Sequence, residues 1–371
     1  MSPAHKPRIA VVFGGRSSEH AVSCATAASV LAVIDRDRYD VVPIGISHDG
    51  KWVLESAEPA RLQLTAGHLP AVDGAAAAVV VSNDPARHAI TVAEPGATPP
   101  ELGAVDVVFP LLHGPWGEDG TIQGLFEIGG IRYVGSGVLA SAVGMDKHYM
   151  KIVFAAAGLP ITPYAVVKPR EWEDDRGAVR EAVAALGYPV FVKPARGGSS
   201  LGITKVYDVD GLDDAVEHAR GYDPKVLVEP SAEGSREIEC GVLQRLDGDA
   251  DASKVAEITG YGEHEFYDFD AKYLGEEGVT LQVPADIPDE LAEEIQRLAL
   301  LAFEAIGCEG LARVDFFVGH DGAPVINEIN TMPGFTPSSM FPRMWAESGV
   351  SYPELVDRLI TLASERPTGL R

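Results

Sequence analysis

Residues Leu311–Gly334 read LARVDFFVGHDGAPVINEINTMPG. Two short runs of alternating residues flank a polar break, GHDGAP, centred on Asp321-Gly322, and Asp-Gly between such runs is a strong hairpin signal. Folding about that centre sets Asp315 opposite Glu328 and Arg313 opposite Asn330. Strand side chains alternate with period two, so all four point to one face. Directly opposed carboxylates repel and weaken a strand pair. A bound cation reverses that penalty. Asp, Glu and Asn offer only oxygen, which suits Mg²⁺ rather than zinc or copper. The competing reading is a solvated face on an edge hairpin, and the hairpin alone leaves both open.

On either side of this stretch the pattern turns helical. Residues 287–306 carry Leu291, Ile295, Leu298 and Ile306 on one side, with Pro288 near the first turn, and predict an amphipathic helix behind the hairpin. Past Gly334, FTPSSMFPRMW reads as a loop and Tyr352–Ala363 as a terminal helix. Upstream, EFYDFDAKYL (Glu265–Leu274) mixes aromatics, acids and one lysine with no periodicity, which fits a loop that packs down over something.

Further upstream lie the signals of an anion site. Val190–Lys193 is a strand, followed by PARGGSSLG (194–202) and a second strand near Ile203–Val206. A Gly/Ser-rich loop between strands lays N–H groups over phosphates, with Lys193 beneath as a point charge. It is not the GxxxxGK[ST] loop, and no helix follows it; a plain flexible hairpin is the alternative. Val226–Pro230 is an apolar strand that stops at a proline, leaving backbone groups free to pair with an adenine edge. Glu237 is placed to accept from ribose hydroxyls, whereas Glu239 and Glu257 read equally as sheet-face charges. Asp146 is a helix N-cap, and Lys147 in the first turn opposes the helix dipole unless it faces an anion.

The N-terminal third opens strand–loop–helix–strand: residues 8–14, GGRSSEH (14–20), a helix from an N-cap at Ser18 to about Val33, then Val41–Ser47. That is a doubly wound α/β opening with its ligand edge at the strand carboxyl ends. The loop lacks the third glycine of GxGxxG, which argues against a dinucleotide fold. Residues 66–100, rich in Ala, Val and Pro, read as a peripheral insertion. Val105–Pro110 resumes the sheet and ends in LLHGPWGEDG (111–120), where Gly, His and Glu are placed to line a site.

Composition sets the outer limits. At 371 residues, two or three domains are expected. With 55 acidic against 30 basic residues the formal charge is −25, a surface that repels nucleic acid and anionic membranes. No apolar run approaches ~18 residues, and the N-terminus has no signal-peptide pattern. The three cysteines, Cys24, Cys240 and Cys308, are widely spaced and fit buried free thiols in a reducing cytoplasm. No Ser-His-Asp or Cys-His nucleophile and no His pair of metal-ligand spacing is present. Lys147, Lys193, Lys272, Arg313, the Gly/Ser loop and the acid cluster together describe an ATP site, and phosphoryl transfer needs little more than such charge.

GGRSSEHAVS, HGPWGEDG, Met145-Asp146-Lys147, VFVKPARGGSSLG, EFYDFDAKYL, GLARVDFF and VINEINTMPG, in that order, resemble the D-alanine–D-alanine ligases of the ATP-grasp superfamily. The resemblance runs from about residue 8 to 345 and lapses near 50–100. It implies an α/β chain, α+β in its ATP-binding part, with three domains. Residues 1–136 would form a doubly wound substrate domain with the insertion, 137–229 a central subdomain with the phosphate loop, and 230–371 a C-terminal subdomain with the lid and metal hairpin. It implies a two-step ligation in which one D-alanine carboxylate attacks the γ-phosphate and a second D-alanine amine attacks the acyl phosphate.

By resemblance, Glu19 would hold the first ammonium, with His113 and Glu118 nearby. Lys147 and Lys193 would contact the α/β-phosphates and Lys272 the γ-phosphate, with Ser199, Ser200, Tyr267 and Asn327 also against ATP. Glu229, Pro230 and Ala232 would meet adenine, and Glu237 the ribose. Asp315, Glu328 and Asn330 would bind two Mg²⁺ ions, with Mn²⁺ as substitute and a monovalent cation as a further candidate. Arg313 and the Gly334 N–H would steady the oxyanion, and Ser338, Ser339 and Met340 would seat the second carboxylate. Glu19, Ser199 and Tyr273 would form a hydrogen-bonded link closing the loop, and Tyr273 favours an amine over a D-lactate acceptor. A cytoplasmic homodimer serving cell-wall synthesis is implied. The alternatives are the same fold with D-lactate or D-serine as acceptor, or a non-catalytic ATP-binding regulator.

Overall fold

The computed structural model describes residues 6–56, 58–63, 69–82, 84–86, 89–93, 101–259 and 280–369. Its first sheet contains β1 (Arg8–Gly14), β2 (Asp40–Ile46), β3 (Trp52–Leu54), β4 (Ala78–Val81), β5 (Ala89–Ala93), β6 (Glu101–Ala104), β7 (Val107–Pro110) and β8 (Arg132–Tyr133). They lie in the order β6-β5-β4-β3-β2-β1-β7-β8. Only β2-β1-β7-β8 is parallel. The unbroken apolar run of β1 follows from cover on both faces. Ile9, Val11 and Phe13 pack with α1 (His20–Val33) and the terminal helix Tyr352–Glu365, while Ala10 and Val12 pack with α2 (Thr121–Ile128). The stretch read as a peripheral insertion, 66–100, holds β4 and β5, which with β3 before it and β6 after it lie as antiparallel strands beyond β2.

From β1 the chain passes through α1 to β2 on one side, and from β7 through α2 to β8 on the other. The crevice at the carboxyl ends of β1 and β7 is therefore the topological switch point. Glu19 stands in the loop after β1, and His113 and Glu118 in the loop after β7. The expected N-cap at Ser18 is replaced by Glu19, which makes no side-chain cap bond. Its carboxylate is turned instead toward the phosphate-type loop.

The second sheet, β9 (Ala165–Val167), β10 (Val190–Pro194), β11 (Thr204–Val206) and β12 (Val226–Pro230), is antiparallel in the order β11-β10-β12-β9. Val179 and Val183 of one helix and Leu212 and Val216 of another close one face, leaving Phe191, Lys193 and Glu229 on the other. The third sheet holds β13 (Arg236–Gln244), β14 (Ala250–Ala252), β15 (Ala256–Thr259), β16 (Thr280–Gln282), β17 (Leu311–Val318) and β18 (Pro324–Asn330), in the order β16-β15-β13-β17-β18 with β14 on β13. The helix Asp289–Ala305 packs behind it as expected, together with α3 (Val138–Met145) and α4 (Lys147–Ala156). So α3 and α4, which the sequence grouped with the second sheet, contribute Ala140, Met150 and Phe154 to the third sheet's core.

The decisive hairpin pairs Arg313 with Asn330 and Asp315 with Glu328, as the sequence predicts. Nearer the tip the register shifts, and Phe316 pairs with Ile326, leaving Asn327 unopposed in a β-bulge. Ile326 and Ile329 are both buried, yet three residues apart they cannot share a face of a regular strand. The bulge resolves this by putting both isoleucines in the core and Asn327 on the cavity side.

Candidate active site

Two cavities, of about 570 and about 320 Å³, meet between the three sheets. Their common wall includes Lys147, Ser199, Glu239, Arg313 and Glu328. The larger is lined by Glu19, His113, Glu118, Asn330, Gly334, Ser338, Ser339 and Met340. The smaller is lined by Lys193, Ser200, Pro230, Ala232, Glu237, Asp315 and Asn327, with Glu229 at its base. Every described residue that the sequence reading nominated therefore borders one cavity or the other. Tyr267, Lys272 and Tyr273 lie outside the described residues.

The hairpin face is held by cations of the protein itself. Arg313 grips Asp315 with both Nε (2.7 Å) and Nη2 (2.6 Å), and its Nε is 3.2 Å from Glu239. Asn330 Nδ2 donates to Asp315 at 3.1 Å. Lys147 Nζ is 3.1 Å from Glu328 and donates to the Gly197 carbonyl at 2.9 Å. Burial disfavours the Lys147 ammonium, but Glu328, Glu229 and Glu118 outweigh it and hold its pKa above the ordinary lysine range. The anion that the first-turn lysine demanded is thus Glu328.

Register also sets Glu239 beside Asp315, so Glu239, Asp315 and Glu328 form a row across three neighbouring strands. Among the described residues no three His, Cys, Asp or Glu side chains form a ready metal shell. The donor set of Asp315, Glu328 and Asn330 nonetheless fits a hard divalent ion: it is oxygen-only, lies on one face, and stands where the cavities join.

The loop 197–202 bends over Glu19. Ser199 and Ser200 both take left-handed backbone, φ 49° and 58°, a conformation unusual for serine that the surrounding contacts must hold in place. The Ser199 hydroxyl donates to Glu19 Oε1. Glycine is required on both flanks of that carboxylate. A Cβ at Gly114 (φ +74°) would lie 2.5 Å from Glu19 Oε2, and one at Gly198 2.9 Å from it.

Glu118 accepts the Gly114 N–H at 2.6 Å and the Met332 N–H at 3.2 Å. Burial, then the Glu19 charge, outweigh those bonds and raise its pKa to about 8. The folded protein therefore keeps this proton above the ordinary glutamate range, where the unfolded chain has lost it. Stability from this group is full at acid pH and falls as pH rises through about 8. Urea midpoints of the wild type should drop between about pH 6 and pH 8.5 by more than those of Glu118→Gln. Equal drops would remove the assignment.

Glu229, expected against adenine, commits its carboxylate elsewhere. It pairs with Lys193 and, at 2.5 Å, with Lys151, whose side chain is 0% exposed. Thr162 Oγ1 completes the cluster, donating to Glu229 at 2.6 Å and accepting from Lys151 at 2.7 Å. Burial pushes the Glu229 carboxyl up, but the two lysines more than reverse this and hold it well below the usual range.

Family models for the D-Ala–D-Ala ligase N-terminus and C-terminus match residues 8–136 and 153–361. The D-alanine–D-alanine ligase of Streptomyces griseus is 57% identical over 378 residues, covering 100% of this chain and 96% of its own. That of Arthrobacter sp. strain FB24 is 58% identical over 373 residues, covering 100% and 97%. The chain belongs to the D-alanine–D-alanine ligase family. Solved members align closely. The VanG D-Ala:D-Ser ligase from Enterococcus faecalis is 35% identical with a TM-score of 0.81, covering 97% of this chain and all of its own. The D-alanine–D-alanine ligase from Coxiella burnetii is 33% identical with a TM-score of 0.79, covering 98% and 95%.

Against that family the sequence reading missed Lys151, Thr162 and the place of Glu239. Lys151 had a signal: it follows Lys147 by one helical turn, between the buried Met150 and Phe154, so its charge needed a partner inside. Thr162 and Glu239 had none, because only packing of the second and third sheets shows what they meet. The buried cysteines fit their expected role, each with its thiol pushed up to about 12 by burial.

Proposed function

We propose that this chain joins two D-alanines into D-alanyl-D-alanine, with ATP cleaved to ADP and phosphate, to supply peptidoglycan precursor. The observation that carries the reading is the common wall of the two cavities: an anion-binding chamber and an amino-acid chamber meet at Lys147, Arg313 and Glu328. In the smaller chamber Lys147 and Lys193, with Lys272, hold the phosphates, and the Ser199–Ser200 backbone covers them. Pro230 and Ala232 lie toward adenine, with Glu229 contributing only its backbone there, and Glu237 toward ribose. In the larger, Glu19 takes the ammonium of the first D-alanine.

Its carboxylate oxygen attacks the γ-phosphorus at the junction, the bond to ADP breaks, and an acyl phosphate forms. The amine of the second D-alanine, whose carboxylate rests on Ser338, Ser339 and Met340, then attacks the acyl carbon. Arg313 and the Gly334 N–H hold the resulting oxyanion until phosphate leaves. Activation by phosphorylation replaces oxide, a poor leaving group, with phosphate.

Asp315, Glu328 and Asn330 would hold divalent metal, two Mg²⁺ or Mn²⁺, which supplies charge neutralisation for the phosphates when bound. A monovalent cation is a further candidate in this reading, and titrating K⁺ against turnover tests it. Residues 1–136, 137–229 and 230–371 serve as three lobes closing on the nucleotide, with α3 and α4 of the middle span packed against the third sheet. Glu19 and Ser199 join the first lobe to the second, and Tyr273 of the third would complete the link. No helix among the described residues is long and apolar enough to cross a membrane. The protein acts in the cytoplasm as a homodimer.

Phosphate release from ATP should depend on D-alanine and remain at background with L-alanine. Equal release with both would remove the proposal. Product analysis with D-alanine, D-serine and D-lactate in competition should return D-alanyl-D-alanine; an amine acceptor excludes the D-lactate ester, and product mass tells the D-serine dipeptide apart.

A further inference from the structure

β18 ends at Asn330, and with it the ladder that fixes register. The next residues, Thr331–Gly334, carry the chain from one proposed metal ligand to the proposed oxyanion N–H without a strand partner. Buried backbone groups there need other partners. At Met332 two side chains of the loop after β7 supply them. His113 Nδ1 is 3.1 Å from the Met332 carbonyl oxygen, which only accepts, so Nδ1 carries the proton. Its Nε2 then accepts from the Thr26 hydroxyl at 3.3 Å. Glu118 takes the Met332 N–H with one carboxyl oxygen and the Gly114 N–H with the other. His113 is 4% exposed, and Pro333 stiffens the step that follows.

We propose that His113 and Glu118 are positioning residues: by holding both backbone groups of Met332 they set the places of Asn330, two residues before it, and of the Gly334 N–H, two residues after. The loop after β7 thereby couples the first-substrate chamber to the phosphoryl-transfer chamber. This rests on the ligase reading only for what Asn330 and Gly334 do; the bracket itself is independent of the reaction.

Two variants test it, the first compared with a conservative partner. His113→Ala removes the donor to the Met332 carbonyl, and His113→Gln restores an N–H there. Glu118→Met removes both acceptors at similar side-chain length. In the ligand-free proteins, amide hydrogen exchange of a 331–335 fragment should speed up about 10-fold or more in His113→Ala and Glu118→Met, and recover in His113→Gln. Thermal unfolding run alongside separates this local change from global loss. In turnover assays kcat should fall about 10-fold or more with KM for D-alanine changed less than about 3-fold, and free Mn²⁺ measured by paramagnetic resonance with ATP alone should show weaker metal uptake.

Unchanged exchange at 331–335 in both variants would overturn the bracket. A rise in KM for D-alanine with kcat and Mn²⁺ uptake intact would also overturn it, since that is the signature of a direct substrate contact. Failure of the ligase reading would appear differently, as wild-type protein with no D-alanine-dependent turnover.

Discussion

Glu328→Gln is expected to leave the fold intact and to cut kcat by about 10²-fold or more. The side chain keeps its size and its place opposite Asp315, and Lys147 keeps its bond to the Gly197 carbonyl. What disappears is one negative charge at the point where both cavities meet. That charge does two jobs. It pairs with Lys147, and in the proposed reaction it would also serve as a metal ligand beside the phosphates that Lys147 contacts. Gln does neither, because a neutral amide oxygen is a weaker partner for both ammonium and divalent ion. Steady-state kinetics with Mg²⁺ titration will check it. Near-normal turnover at ordinary Mg²⁺ would show that the metal is held elsewhere.

The largest loss of stability is expected from Glu229→Leu, about 3–5 kcal/mol. Among the described residues, its carboxylate is the only anion of the ion-paired cluster it forms with Lys151 and Lys193. Removing it leaves a lysine with 0% side-chain exposure without its counter-charge. Adding Lys151→Met should recover much of the loss, because the stranded cation goes too, while Lys193 still borders the cavity. The pH dependence has the opposite sign to that of Glu118. A depressed glutamate contributes fully above its ordinary range, and the contribution fades as pH falls toward its folded value. Urea unfolding of the single and double variants will decide. A Glu229→Leu protein as stable as the wild type would dismiss the cluster as an ornament of packing.

Much of the site could be read from residue order because strand periodicity is a local property. Asp-Gly at a turn and alternation on either side were enough to set Asp315 against Glu328 and Arg313 against Asn330, and the coordinates keep those pairs. Asp146 as a helix cap followed in the same way from its own neighbours, and its side chain accepts the His148 and Tyr149 N–H groups. The cap at Ser18 did not form: the helix begins one residue later, at His20, and the carboxylate of Glu19 in the cap position accepts instead from Ser199, 180 residues away.

What sequence alone settled about this protein is what a few consecutive residues determine together: the strand pairs of the hairpin, the helix cap at Asp146, the surplus of acid, and the ordered motifs of its family. What only the tertiary structure decided is which charges answer which. Lys147 facing Glu328, Lys151 locked to Glu229, and Met332 bracketed by His113 and Glu118 each join groups from different elements. The physical reason is range. Backbone geometry repeats over two to four residues, whereas the energy of a buried charge depends on whatever the rest of the chain brings within a few ångströms of it.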